Sequence, residues 1–346
     1  MSFVEKMAKK TFESAMFQKS WQGHMQAFGP ILEPAFVDNY SARVNLTAAL
    51  NLISNGNTDK GFKKLKSMEK SCSTDADRAA WFFCMGLCCE IDNAQEQMVA
   101  FYHKAGQYGH QFYLPNVKIA KAAHGEGSFE FAEEYYVKAI DCLKNAPSDE
   151  SNRSHLGSVY TNYASCLTFM HRYQEAEEAF KLSKELKPIL NGRAREESIL
   201  ASAVGDAHRA KALLETAKAE STYPLRDTEE LINDIFEQKS PYFNKIDVPK
   251  ENIDAFWEWF TANEEQLLFN LRSGQYDAIF QAVQPKLKET FPFMDRDLEF
   301  GMEPHEEYCK ILFADFFMVS LEHGYSKLLA ETPKSLEKNW RFELTR

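Results

Sequence analysis

The chain has 346 residues, 44% hydrophobic and 26% charged, with a formal net charge of −11. That balance excludes a disordered chain and gives room for two domains. No apolar run reaches the length of a membrane span, no charged-then-apolar secretory leader is read at the start, and the acidic excess excludes a nucleic-acid binder, which must neutralise phosphate with basic residues.

In residues 1–41, Phe3, Met7, Phe12, Met16, Phe17, Trp21, Met25 and Phe28 stand among lysines. The same pattern fits an amphipathic membrane anchor or a transit peptide, but Glu5, Glu13 and the lack of arginine in the first thirty residues weaken the latter. The reading adopted is a helical cap over the first repeat.

Residues 42–220 repeat. A degenerate unit at 42–72 has Ala49, Leu52, Gly61, Leu65 and Met68, with the turn Asn55-Gly56-Asn57 between its helices. A ruler of 34 residues laid from Ala79 puts Phe82, Met85 and Gly86 at places 4, 7 and 8, and Tyr102 and Ala105 at 24 and 27. From Tyr113, places 8, 11, 20, 24 and 27 are Ala120, Ala123, Ala132, Tyr136 and Ala139. From Gly157, Tyr160, Tyr163, Ala164 and Leu167 take the first half, Tyr173, Ala176, Phe180 and Ser183 the second, and Pro188 stops the run. The step from Ala132 to Ala176 is 44 rather than 34, which reads as a loop of about ten residues around 145–152, polar and proline-containing. The 34-residue step returns at Ala210, followed by Leu214 and Ala217. Glu197 and Ser198 at places 7 and 8 leave the first helix of that unit in doubt. Small residues at places 8, 20 and 27 let two antiparallel helices approach, and bulky ones fill the space to the next pair. One pair cannot bury its apolar face alone, so the pairs must stack.

Residues 221–250 read as a helix at 225–239 and a connection with two prolines. In 251–346 the texture changes: a helix at 252–273 with Phe256, Trp257, Trp259 and Phe260, ended by Gly274; a helix at 276–290 containing Pro285; strands at 298–303 and 308–316; a helix at 321–329; and a last strand at 340–345. This order indicates a small α+β domain with an antiparallel sheet. It is acidic: from Tyr223 onward 14 basic face 24 acidic residues, whereas the preceding part has 26 and 27. The cluster Phe256-Trp257-Glu258-Trp259-Phe260, with Asn263-Glu264 and Trp340-Arg341-Phe342, is weakly similar to uncharacterised bacterial α+β domains, which implies a fold and no activity. The aromatics are read as core and as an interface against the last repeat.

On the residues above, 79–219 resembles four tetratricopeptide repeats, with a fifth, weaker one at 42–72. Asn116 and Met98 stand where the family has an aromatic and an alanine. The resemblance implies a mainly α fold, a right-handed superhelical stack of antiparallel helix pairs followed by the small α+β domain. It also implies a scaffold or adaptor without catalytic residues, metal or cofactor. Its groove, lined by places 2, 5, 6, 9 and 12 of each first helix, takes a peptide or partner protein. Those places give Phe83, Leu87, Lys118, Lys121, His124, Thr161, Asn162, Ser165 and Arg195. Family members that hold acidic C-terminal tails use Lys, Asn and Arg there, and only Asn162 matches. The expected ligand is therefore a peptide of acidic character, oriented by Lys118, Lys121 and Asn162.

No phosphate loop, zinc-protease helix or nucleophile elbow occurs. The seven cysteines lack the spacing of a zinc site and read as buried free thiols of a cytoplasmic protein. His124-Gly125-Glu126-Gly127 reads as a turn within a repeat. Two other readings stay open: a peptide-responsive sensor in which binding changes the packing of the C-terminal domain, and an enzyme with its site in that domain.

Overall fold

The computed structural model describes residues 7, 9, 11, 15–187, 192–294 and 297–345. The chain is mainly helical, a succession of helix pairs followed by a small three-stranded sheet near the C-terminus. Its contacts divide it into two compact units, Met1–Cys166 with Glu175–Leu190, and Leu167–Gln174 with Asn191–Arg346.

The first unit begins with α1 (Ala15–Leu32), which is kinked at Phe28 ahead of Pro30. The pairs α2 (Tyr40–Ser54) with α3 (Thr58–Ser67), α4 (Asp75–Ile91) with α5 (Gln95–Tyr108), and α6 (Tyr113–Glu126) with α7 (Phe129–Asn145) follow. Each pair packs internally, and α3 on α4 and α5 on α6 join neighbouring pairs. A Cβ at Gly86 of α4 would stand 2.6 Å from the Tyr102 ring of α5, and one at Gly61 of α3 would stand 2.6 Å from Ile53 and 3.3 Å from the Ala49 carbonyl of α2. Ala49, Ala105, Ala120, Ala132 and Ala139 are wholly buried for the same reason. Next come α8 (Glu150–Phe169) and α9 (Tyr173–Leu186), joined where Thr161 Oγ1 and Ser183 Oγ lie 2.7 Å apart. Ala164 and Ala176 are buried there too. Pro188, read as the stop of this run, lies outside the described residues, as do Phe3 and Phe12 of the N-terminal pattern.

Three local expectations change. The ten additional residues between Ala132 and Ala176 are not a loop. They lengthen the helices, so that α7 has 17 residues and α8 has 20, and only residues 146–149 lie between them. The stretch expected to turn at 124–127 continues α6 through Glu126, and Gly127 alone takes the left-handed conformation, with φ +81°. The doubtful helix near Arg193 exists as α10 (Arg193–Ala203), since Ser198 is small enough to be fully buried and Glu197 is held by Arg193 and, at 2.9 Å, by Arg209.

In the second unit α10 pairs with α11 (Ala207–Glu220), and α12 (Arg226–Phe236) packs on both. The helix expected over 252–273 is two, α13 (Lys250–Ala262) and α14 (Glu264–Arg272), parted at Asn263. α15 (Tyr276–Thr290) continues through Pro285. β1 (Phe300–Pro304) pairs antiparallel with β2 (Cys309–Ala314), but β2 pairs parallel with β3 (Trp340–Thr345) across α16 (Val319–Ala330). The sheet is therefore mixed and not antiparallel as expected, because a helical crossover brings β3 back in the direction of β2. Its core is aromatic: Trp257 and Phe260 meet Phe342, Phe260 meets Trp340, and Phe313 stacks on Tyr325. The segment 167–174 joins this unit through Phe169 against Tyr242 and through His171 Nε2, which donates to the Phe317 carbonyl at 2.6 Å.

If close approach governs pairing, two glycine substitutions diverge. Gly86→Val should destabilise by about 1–3 kcal/mol through overpacking on Tyr102. Gly125→Ala, where α6 leaves open space, should stabilise by about 0.5–1 kcal/mol. Urea midpoints at constant m decide this, and an unchanged midpoint for Gly86→Val would show that the α4–α5 pair can widen freely.

Candidate functional site

The first helices of three successive pairs, α2, α4 and α6, all pack against α1. Amphipathic placement explains this. Ser20 Oγ donates to Asn51 Oδ1 at 2.8 Å, His24 Nε2 lies 2.9 Å from the same oxygen, and the Phe28 ring meets Phe83 edge-on at 5.5 Å. Trp21 is buried beneath the Arg43 guanidinium, 5.7 Å from the ring centroid. The cap thus covers more than the first repeat.

Asp77, at the start of α4, pins the chain that follows α1. It closes a capping box with Thr74 and accepts from the backbone N–H groups of Phe36 at 2.6 Å, Ser73 at 3.0 Å and Thr74 at 3.0 Å, and from Ser73 Oγ at 2.9 Å. Burial alone would push its carboxyl up. The backbone donors, Phe36 first, outweigh that and hold it below the ordinary carboxylate range. Phe36 sits at φ +52°, a backbone conformation this hydrogen bond helps to hold.

Of the nine expected groove residues, eight belong to the first unit, and four of these are buried. Phe83 and Leu87 are buried, Phe83 against Phe28 of α1, so the apolar patch is filled by the protein's own helix. Lys118 Nζ is 2.8 Å from Glu90 Oε1, and Glu90 also accepts from the Tyr102 hydroxyl, so that lysine is matched within the fold. Burial, and then Glu90, push the Tyr102 phenol far up. His124 turns to its own pair, with Nδ1 3.4 Å from the Tyr136 hydroxyl and its ring on Phe129. Thr161 is buried against Ser183, and Ser165 is buried as well. Asn162 is half-buried and Lys121 exposed. Arg195 is exposed beside Glu196, and belongs to the second unit.

The first unit has its recess elsewhere. A cavity of about 1070 Å³ is bounded by α1, by the turn between α5 and α6, by the end of α7 and by the start of α8. Met25, Phe112, Tyr113 and Leu143 give it apolar walls, and Glu33, Asp141 and Asp149 stand on it. Asp149 Oδ1 accepts from Asn152 N at 2.8 Å, capping α8. The His155 ring lies 5.3 Å from that of Tyr113, and burial pushes its imidazole down despite Asp149. Cys142 Sγ donates to the His110 carbonyl at 3.2 Å, and burial pushes this thiol up. None of these residues belongs to the expected groove. The one sign of them in the sequence is the 44-residue step, read there as a loop. Among the described residues no group of three or more His, Cys, Asp or Glu is placed to hold a metal ion. Nor is any helix among them long and apolar enough to cross a membrane.

No protein-family model matches the chain, and no curated protein matches it either. Among solved structures it is similar to a MamA double mutant (MamA RS-1 ArsTM) at 12% identity and a TM-score of 0.39, over 52% of this chain and 93% of that one. It is also similar to the apo form of the quorum sensor NprR from B. thuringiensis, at 12% identity and a TM-score of 0.34, over 84% and 96% of the two chains. NprR in complex with its cognate peptide NprX matches at 11% identity and a TM-score of 0.33, over 84% and 100%. TM-scores below 0.5 decide nothing about this chain, and its fold rests on its own contacts.

The Asp77 anchor has a pH signature. Its folded value lies below the unfolded one, near about 3.9. Its contribution is therefore present above that unfolded value and fades as pH falls through the folded value. Asp77→Asn should cost about 1–3 kcal/mol at pH 7, and the gap to the unsubstituted protein should narrow towards pH 3. Urea unfolding at both pH values measures it, and an unchanged gap would show that the carboxylate charge plays no part.

Proposed function

We propose that this protein is a non-catalytic interaction module in which a tetratricopeptide-like array binds a peptide segment of a partner, and that the segment enters the cavity between α1 and the ends of α6, α7 and α8. The cavity carries this reading: its volume suits several side chains, it sets apolar walls at Met25, Phe112, Tyr113 and Leu143 beside polar and acidic side chains, and it is built from helix ends. The groove face of α4, by contrast, is taken up by α1.

A hydrolytic reading finds less support. Cys142 and His155 share the cavity, but among the described residues no hydrogen bond joins them. Burial raises the thiol and lowers the imidazole, the reverse of what a thiolate–imidazolium pair needs. Of the other strongly perturbed groups, Cys84, Tyr102 and Tyr325 are packed in cores, and burial pushes the phenol of Tyr113 on the cavity wall up, so that it stays protonated.

Selection from a random peptide library against the full chain tests the proposal. Selected peptides should raise the melting temperature of the unsubstituted protein. Ala146→Trp, which puts an indole into the cavity from its rim, should weaken them about tenfold or more while leaving the circular dichroism spectrum unchanged. Equal binding to both proteins would overturn the proposal.

A further inference from the structure

The charged residues around the cavity are of one sign. Glu33, Asp141 and Asp149 are exposed on its walls, and no lysine or arginine lines it. Of the basic residues adjoining it in sequence or space, Arg43 donates to the Ala35 and Glu33 carbonyls and covers Trp21, Lys144 reaches over the Tyr160 ring at 6.0 Å, and Arg153 is exposed on α8 and does not line the cavity. Asp149 caps α8 through Oδ1 and receives Asn152 Nδ2 on Oδ2 at 3.2 Å, which leaves carboxylate lone pairs open to a further donor. α7 ends on the cavity at Asn145, so the negative end of its dipole is directed there. Two histidines line the cavity: burial holds His155 down, so that it adds no positive charge at neutral pH, and His110 is exposed at its edge. The apolar walls at Met25, Phe112 and Leu143 suit the methylene stem of a long side chain, and the Tyr113 ring can face its cationic head.

We infer that the cavity receives a basic peptide segment, with a lysine or arginine side chain laid along the apolar wall and its head between Asp141 and Asp149. This rests on the reading that the cavity is the binding site, and it reverses the acidic ligand expected from Lys118, Lys121 and Asn162. Lys118 is already matched by Glu90, so one of the two cations that were to attract an acidic peptide is engaged within the fold.

Fluorescence anisotropy with two labelled octapeptides tests it, one alternating lysine and leucine, the other glutamate and leucine. The full-length protein should bind the basic peptide at least about tenfold more tightly than the acidic one. The double substitution Asp141→Asn with Asp149→Asn keeps shape and, since Asn also caps helices well, should keep α8. It should weaken the basic peptide about tenfold. Glu299→Gln with Glu306→Gln makes the same change in net charge in the second unit and should alter binding less than about twofold. Equal weakening by both pairs would reduce the effect to general attraction by an acidic protein and overturn the inference, as would equal affinity for the two octapeptides. If Ala146→Trp blocks binding but the Asp141/Asp149 pair does not, the cavity stands and its preference for basic ligands falls. If Ala146→Trp blocks no peptide, the cavity itself falls as the site.

Discussion

The α2–α3 and α4–α5 pairs approach closely because a glycine stands at each crossing, and the links from one pair to the next in the first unit build on that. Gly86 leaves room for the Tyr102 ring, and Gly61 does the same for Ile53. Tyr102 can then be buried with its hydroxyl donating to Glu90, and Glu90 in turn holds Lys118 of the next pair. A steric requirement inside one pair thereby becomes a polar link between successive pairs. The buried phenol has a partner, as a polar group removed from water must.

The same close packing creates a problem at the face the pairs present to α1. Phe83 packs on Tyr102 of its own partner helix, with 5.4 Å between ring centroids, and its remaining face needs a second cover. α1 supplies the missing cover, with Phe28 on Phe83 and Trp21 beside Arg43. The cover is directional because its far end is tied down. Phe36 is held by Asp77, whose other acceptor positions are occupied by the cap of α4, so one buried carboxylate both starts a helix and fixes where the preceding one ends.

How much of this the sequence discloses depends on the kind of constraint. Spacing of alanine and glycine reports contacts within a pair, since only small residues fit there, and Ala120, Ala132, Ala164, Ala176 and Ala210 are all buried as that spacing requires. Strand positions in the tail are equally readable from alternation, but the direction of β3 is not, because alternation is the same for parallel and antiparallel pairing. The surroundings of the expected groove residues are less legible for another reason. Place in a repeat says which way a side chain leaves its helix, and not what the rest of the chain puts there. Lys118 leaves in the expected direction and finds Glu90, while Phe83 finds Phe28. Thr161 lies at one of the expected groove places, but Ser183 is small and lies 2.7 Å from it within the pair.

The cavity is the product of a length mismatch. Extra residues inserted between stacked units can be expelled as a loop or absorbed by the helices, and the sequence 145–152, polar and with a proline, reads as the former. Only the proline region behaves so. Helix α8 is six residues longer than α6, by 20 to 14, which is an overhang of about 9 Å at the rise of an α-helix. An overhang on two adjacent helices cannot be filled by a neighbouring pair of ordinary length, and the space it leaves is closed on one side by the turn at His110–Tyr113 and on another by α1. The stacking register survives, since Ala176 still reaches its buried place one pair later. A helical array can therefore acquire a recess without disturbing its core by lengthening the two helices where successive pairs adjoin, and the residues that line it fall where the repeat pattern has no assigned place.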